Sequence, residues 1–96
     1  MTASPPIAIR HDADRRRFVI ELEGERAELA YRLDGHVMVI EHTGVPEAIG
    51  GRGIAGQLVR AALDHARAQD WKVELACSYS AAYVQRHPQY ADLVVG

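Results

Sequence analysis

Along "RFVIELE", Phe18, Ile20 and Leu22 alternate with Val19, Glu21 and Glu23. A period of two predicts a strand with one apolar face. "RAELAYRL" alternates more clearly: Ala27, Leu29, Tyr31 and Leu33 point one way, and Arg26, Glu28, Ala30 and Arg32 the other. One side should face a core and the other solvent. Gly24-Glu25 separates the two runs, and glycine at the first central position suits a type II′ hairpin. Asp34-Gly35 follows the second run and is the strongest short hairpin signal in the chain. "HVMVIEHT" is then apolar on both faces, with Val37 and Val39 opposing Met38 and Ile40, as expected of a central strand. Ahead of these runs, "IAIRHD" (Ile7 to Asp12) predicts a short first strand and "DADRR" a turn.

The period changes after a group of glycines. Ile54, Leu58, Ala61, Ala62 and Ala66 recur at helical spacing, widened by Val59 and Leu63. Arg60, Asp64 and Arg67 take the opposite side, where Asp64 can meet either arginine. The helix should fade near Gln69-Asp70. "WKVELAC" (Trp71 to Cys77) predicts a further strand. "SAAYVQRH" predicts a short second helix, capped by Ser80 and stopped by Pro88. The order is β-β-β-β-α-β-α, an α+β domain in which an antiparallel meander leads into one α/β crossover and a short C-terminal helix. The strands flanking the long helix should be parallel neighbours joined by a right-handed crossover.

Length and charge narrow the picture. A chain of 96 residues has room for one sheet and two helices. Residues 1–6 read as a loose N-terminus and 7–96 as a single domain. A hydrophobic share of 48% supports a packed core. The net charge of −2 and the lack of a basic patch argue against nucleic acid as the main partner. Arg15-Arg16-Arg17 is balanced by Asp12 and Asp14 and reads as a solvated turn. The single cysteine, Cys77, precludes an internal disulfide and suits a reducing, cytoplasmic setting. "MTASPPIAIR" does not resemble a signal peptide, and no stretch approaches the ~20 apolar residues of a membrane span. No metal site is expected: His11, Asp12 and Asp14 lack metal-site spacing on a rigid element and read as a turn. His36 and His65 read as surface.

The glycines in "GVPEAIGGRGIAGQLVRAAL" stand at a strand-to-helix junction. There, backbone N–H groups can turn toward a ligand, and the helix start adds unpaired donors and the positive end of its dipole. An anion, most often a phosphate, is the natural guest. Gly51, Gly53 and Gly56 spell a G-x-G-x-x-G, but a dinucleotide fold needs several crossover helices and this chain has room for one. No Gly-Lys-Ser/Thr follows, which excludes a Walker loop. A third phosphate-binding reading is a coenzyme A pyrophosphate site.

"GGRGIAGQLVRAAL" resembles the acyl-CoA loop of the GNAT N-acetyltransferase superfamily, usually written Arg/Gln-x-x-Gly-x-Gly/Ala. Gly53 and Ala55 fill its last two positions, and Gly50 stands where the family has Arg or Gln. "EHTGVPEAIGGRGIAGQLV" followed by "LACSYSAAYVQRHPQYADLV" is similar, from about Glu41 to Val95, to the small YjdJ-like branch of that superfamily. The resemblance implies a minimal GNAT fold and an acetyl-CoA-dependent transfer to an amine: a peptide or protein lysine, a chain terminus or a small amine. It implies two splayed parallel strands, "VMVIEHT" and "KVELAC". Backbone near Thr43 and Val45 would meet the pantetheine arm, and Gly51, Arg52, Gly53, Ile54, Ala55 and Gly56 the pyrophosphate. With no N-terminal helices to shape a pocket, the acceptor side should be shallow and open.

Four side chains are candidates for the chemistry. Glu41 and His42 end the first splayed strand and could accept the amine's proton; strand alternation sends them to opposite faces. Cys77 closes a strand ahead of a helix start, which favours a thiolate nucleophile, although a structural cysteine fits as well. Tyr83 on the short helix could protonate a departing coenzyme A thiolate, or its ring could fill the core; Tyr79 lies close by. His87-Pro88 ends that helix, and Tyr90 and Leu93 should pack the tail onto the sheet. A non-catalytic acyl-CoA-binding or sensor module is the alternative reading.

Overall fold

The computed structural model describes residues 8–95 and builds one five-stranded sheet in sequential order. Its strands are β1 (Arg10–Asp12), β2 (Arg17–Leu22), β3 (Glu25–Asp34), β4 (Val37–Gly44) and β5 (Lys72–Leu75). The first four pair antiparallel, and β5 lies parallel to β4. The long helix α1 (Ile54–Ala68) makes the crossover, and α2 (Ser78–Arg86) follows β5. Short 3-10 segments occupy Glu47–Ile49 and Pro88–Leu93. Among the described residues, no helix is long and apolar enough to cross a membrane.

The alternation in β3 sorts as its pattern predicts. Ala27, Leu29 and Tyr31 are buried and meet Ile20, Met38 and Ile40 in one core with Ile54, Leu58, Val59 and Leu63 of α1. Val19 and Val39 are also buried, although both point away from this cluster. Their neighbours in register are Arg10 and Glu28 for Val19, and Arg32 and Glu74 for Val39. Long charged side chains bury their hydrocarbon stems over such small residues while their heads stay wet.

Several boundaries differ from the sequence expectation. The first strand begins at Arg10; Ile7 and residues 1–6 lie outside the described residues. The first hairpin loop is Glu23-Gly24, not Gly24-Glu25, with φ of 53° and 75°. Two left-handed residues make it type I′, whose twist suits a hairpin. Arg52 ion-pairs with the Glu23 carboxylate, a long-range hold on an unusual glutamate conformation. The second hairpin loop is Gly35-His36, with only Gly35 left-handed at φ 60°. The predicted strand Trp71 to Cys77 shrinks to Lys72–Leu75. At its start, Trp71 N–H still donates to the Ala66 carbonyl at 2.8 Å, closing α1. At its end, Cys77 is already the N-cap of α2. Ser80 therefore lies inside the first turn and caps nothing; its hydroxyl donates back to the Cys77 carbonyl at 2.8 Å.

Candidate active site

The β4–β5 ladder runs from Val37 opposite Lys72 to Ile40 opposite Leu75. Its last bond is Ala76 N–H to the Ile40 carbonyl, 3.0 Å. Beyond that point β4 continues from Glu41 to Gly44 paired with β3 alone, while the other chain turns into α2. The parallel strands therefore part where a catalytic gap was expected. A β-bulge marks the place. Tyr31 pairs with Ile40, but Ala30 pairs with His42, so Glu41 is an extra residue. Bulges bend the strand and re-aim the side chains that follow.

The bulge corrects the expectation that Glu41 and His42 face opposite ways. Glu41 Oε2 lies 3.3 Å from Nε of Arg32, on the sheet face turned away from α1. His42 stands opposite Ala30 on that same face, and both candidates are exposed. A Cβ on Gly44 would come within 2.9 Å of His42 Nε2, so glycine there makes room for the ring. Thr43 is swung to the other side, where its Oγ1 lies 3.8 Å from Cys77 Sγ.

After Gly44 the chain makes the 3-10 turn Glu47–Ile49, and the fully buried Ile49 pins it to the core. Gly51 and Gly53 then take left-handed φ of 77° and 72°, which glycine adopts without strain. Gly53 is the N-cap of α1, and Gln57 is the first residue to bond back into the helix, to the Gly53 carbonyl at 3.1 Å. Among the described residues, no N–H from Gly51 through Gly56 donates to an acceptor in the chain. The first turn of α1 also carries no acidic residue. These bare donors sit at the positive end of the helix dipole. A pocket of about 270 Å³ opens there, lined by Val45, Gly50, Gly51, Gly53, Ile54, Ala55 and Tyr79.

Arg52 does not line that pocket; its guanidinium grips Glu23 across two nitrogens and holds the Glu23 carboxyl below the ordinary carboxylate range. Gly56 faces α2, where an added Cβ would stand 3.4 Å from both the Tyr79 hydroxyl and the Tyr83 ring. Tyr83 stacks on His87 at 4.0 Å between centroids. Burial, partly countered by Arg60, raises the Tyr83 phenol above its ordinary value, so it is protonated at neutral pH. Burial likewise pushes the half-buried Cys77 thiol up, but other groups outweigh it and leave it below the ordinary thiol value: the amides of Ser80 and Tyr79 and the hydroxyls of Thr43 and Ser80. Cys77 stands at the N-cap of α2, close to the first amides of the helix, although its sulfur makes no cap hydrogen bond to them.

The family description "GCN5-related N-acetyl-transferase" matches residues 17–93. The chain belongs to the GCN5-related N-acetyltransferase family. Protein NATD1 of chicken is 44% identical over 92 residues, covering 91% of this chain and 84% of that protein. Human NATD1 is 44% identical over 92 residues, covering 91% and 81%. The solution structure of a GCN5-like protein from Staphylococcus aureus superimposes with a TM-score of 0.72 at 30% identity, covering 94% of this chain and 89% of that one.

Within this acetyltransferase fold, the structure puts two of the sequence candidates on the α1 side of the sheet and the other two on the opposite face. Cys77 and Tyr83 stand on α2, beside Thr43 and beneath Gly56 respectively. Glu41 and His42 lie across the sheet from the thiol. Tyr79 and Gly50, absent from the predicted ligand set, line the pocket. The signal for Tyr79 was its i, i+4 relation to Tyr83 on a helix that begins two residues earlier than the sequence suggested. His11, expected in a turn, lies in β1, and His65, expected at the surface, packs against it. His11 stacks on Phe18 at 4.1 Å and bonds the Tyr31 hydroxyl at 2.7 Å, with His65 edge-on at 4.4 Å. Among the described residues, no group of three or more His, Cys, Asp or Glu could hold a metal ion.

Proposed function

We propose that this chain is an acetyl-CoA-dependent N-acetyltransferase acting on an amine. The carrying observation is the run of N–H groups from Gly51 to Gly56, without an acceptor among the described residues, beside the pocket at the start of α1. Six donors without a carboxylate among them suit a diphosphate. Gly51, Gly53, Ile54 and Ala55 would hold that group, with Val45 and the unpaired edge of β4 near Thr43 along the pantetheine arm. Acetyl-CoA supplies the activated acyl group as a thioester. The protein contributes a proton on Tyr83 for a leaving thiolate, a thiol on Cys77 poised to ionise, and an open sheet face carrying Glu41 and His42 for the acceptor amine. A peptide or protein lysine, a chain terminus and a small amine all fit so open a face.

The test has two stages. Coenzyme A and acetyl-CoA should raise the melting temperature, because a ligand that binds only the folded state stabilises it. An amine panel should then release free coenzyme A thiol. No melting shift with either ligand would overturn the reading. A large shift without turnover on any amine would instead mark a binding or sensor module. One observation favours that second reading: Glu41 is committed to Arg32, and both base candidates stand on the face away from Cys77.

A further inference from the structure

The bulge at Glu41 has an effect on the other side of the sheet. Uninterrupted alternation from the buried Ile40 would place His42 on the α1 side and Thr43 on the open face. The extra residue exchanges them, so that a hydroxyl rather than an imidazole stands beside the thiol. Thr43 is half-buried, and its Oγ1 is 3.8 Å from Sγ of Cys77. Cys77 is fixed in turn as the N-cap of α2 by the Ser80 hydroxyl, which bonds its carbonyl at 2.8 Å. The sulfur makes no cap hydrogen bond to the helix, and its one side-chain partner among the described residues is the Thr43 hydroxyl on its strand side.

We propose that Thr43 is a positioning residue for Cys77: its hydroxyl donates to the thiolate sulfur and holds it at the mouth of the gap between β4 and β5. This rests on the reading of Cys77 as a working group of the site. The neutral thiol can donate to Thr43 Oγ1, and on ionisation the Thr43 hydroxyl turns its proton toward sulfur. A hydroxyl needs no charge change of its own to do this, so the support it gives is the same across the neutral pH range. The Cys77 thiol ionises more readily than an ordinary thiol, despite its burial and in part through the Thr43 hydroxyl, which agrees with this geometry. The backbone of Thr43 remains available to the ligand, so the two roles do not compete.

The experiment is the rate of Cys77 alkylation by iodoacetamide as a function of pH, in the full chain without any coenzyme A. Losing one hydroxyl bond to an anion raises the thiol's midpoint by about one pH unit. At pH 7 the thiolate fraction then falls about tenfold, and the greater nucleophilicity of the more basic thiolate recovers about threefold, leaving a net loss of about threefold. Thr43→Val, which keeps the shape and the β-branch, should show this shift. Thr43→Ser should keep the wild-type midpoint, and Thr43→Ala provides a second hydroxyl-free variant should the valine form fold poorly. Coincident pH profiles for the wild type and the hydroxyl-free variants would overturn the proposal, as would a lowered melting temperature with an unmoved midpoint. Intact mass after exposure of the wild type to acetyl-CoA tests the underlying reading separately. A shifted alkylation profile with no acetyl adduct on Cys77 would leave Thr43 as the thiol's positioning group and refute a covalent acyl role for the cysteine.

Discussion

Gly53→Ala probes the loop at the residue where backbone conformation and ligand binding meet. Gly53 is left-handed, with φ 72° and ψ 17°, and an added Cβ would meet nothing within 4 Å. Any cost is therefore conformational rather than steric. A left-handed L-residue costs about 1–2 kcal/mol, and the stiffer unfolded chain of alanine returns about 0.4–1 kcal/mol, for a net loss near ~1 kcal/mol. In a domain of this size that lowers the melting temperature by about 4–8 °C. The same strain tilts the peptide planes on either side of residue 53, so that the N–H groups there turn away from a common centre. The coenzyme A-induced stabilisation, about 2.7 kcal/mol at a hundredfold excess over Kd in the wild type, should then shrink. Gly35→Ala is the control. It is also left-handed, at φ 60° with open space around it, but sits at the opposite end of β4 from the loop. Differential scanning fluorimetry with and without coenzyme A should show the two variants losing similar stability, with only Gly53→Ala losing the ligand shift. Equal ligand shifts in both would refute the assignment of the pocket to these amides.

Other outcomes follow from the same geometry. Ile49→Ala empties a fully buried site beneath the loop and should cost about 2–4 kcal/mol by chemical denaturation; a loss under ~1 kcal/mol would show that the 3-10 turn is not anchored there. Tyr83→Phe should slow coenzyme A release about a hundredfold while leaving the coenzyme A melting shift intact, and an unchanged rate would remove Tyr83 as proton donor. Burial, and then the nearby His65, lower the His11 pKa from 6.5, partly opposed by Asp12. The unfolded chain therefore binds a proton there at higher pH than the folded one, and stability is lost as pH falls below about 6.5. The melting temperature should drop between pH 7.5 and about 5.5, and His11→Phe, which retains the stack on Phe18, should flatten that drop.

The fold was legible because its signals were local. Alternation in β3 and the 3.6-residue stripe of α1 reflect burial that each element needs whatever its neighbours do. The glycines were legible for the same reason: Gly51 and Gly53 hold left-handed backbone, which the residue type itself advertises. What stayed hidden depends on partners far along the chain. The bulge at Glu41 is a mismatch between two strands and leaves no trace in "VIEHT" alone, so Glu41 and His42 were assigned to opposite faces. The Glu23-Gly24 loop is stabilised by Arg52, 29 positions later. Ser80 read as a cap because serine usually is one; here its hydroxyl serves the Cys77 carbonyl, and the helix starts two residues earlier.

The amides from Gly51 to Gly56 are consecutive and find no acceptor among the described residues, while the pinned turn just before them is anchored by Ile49. Such a segment acts as a built-in reporter. In a nitrogen–proton correlation spectrum its signals stand at frequencies set by solvent, and they exchange quickly with deuterium although the backbone beneath is ordered. An occupant of the loop would move this one block of resonances together and slow its exchange, so the protein can be titrated without an attached probe.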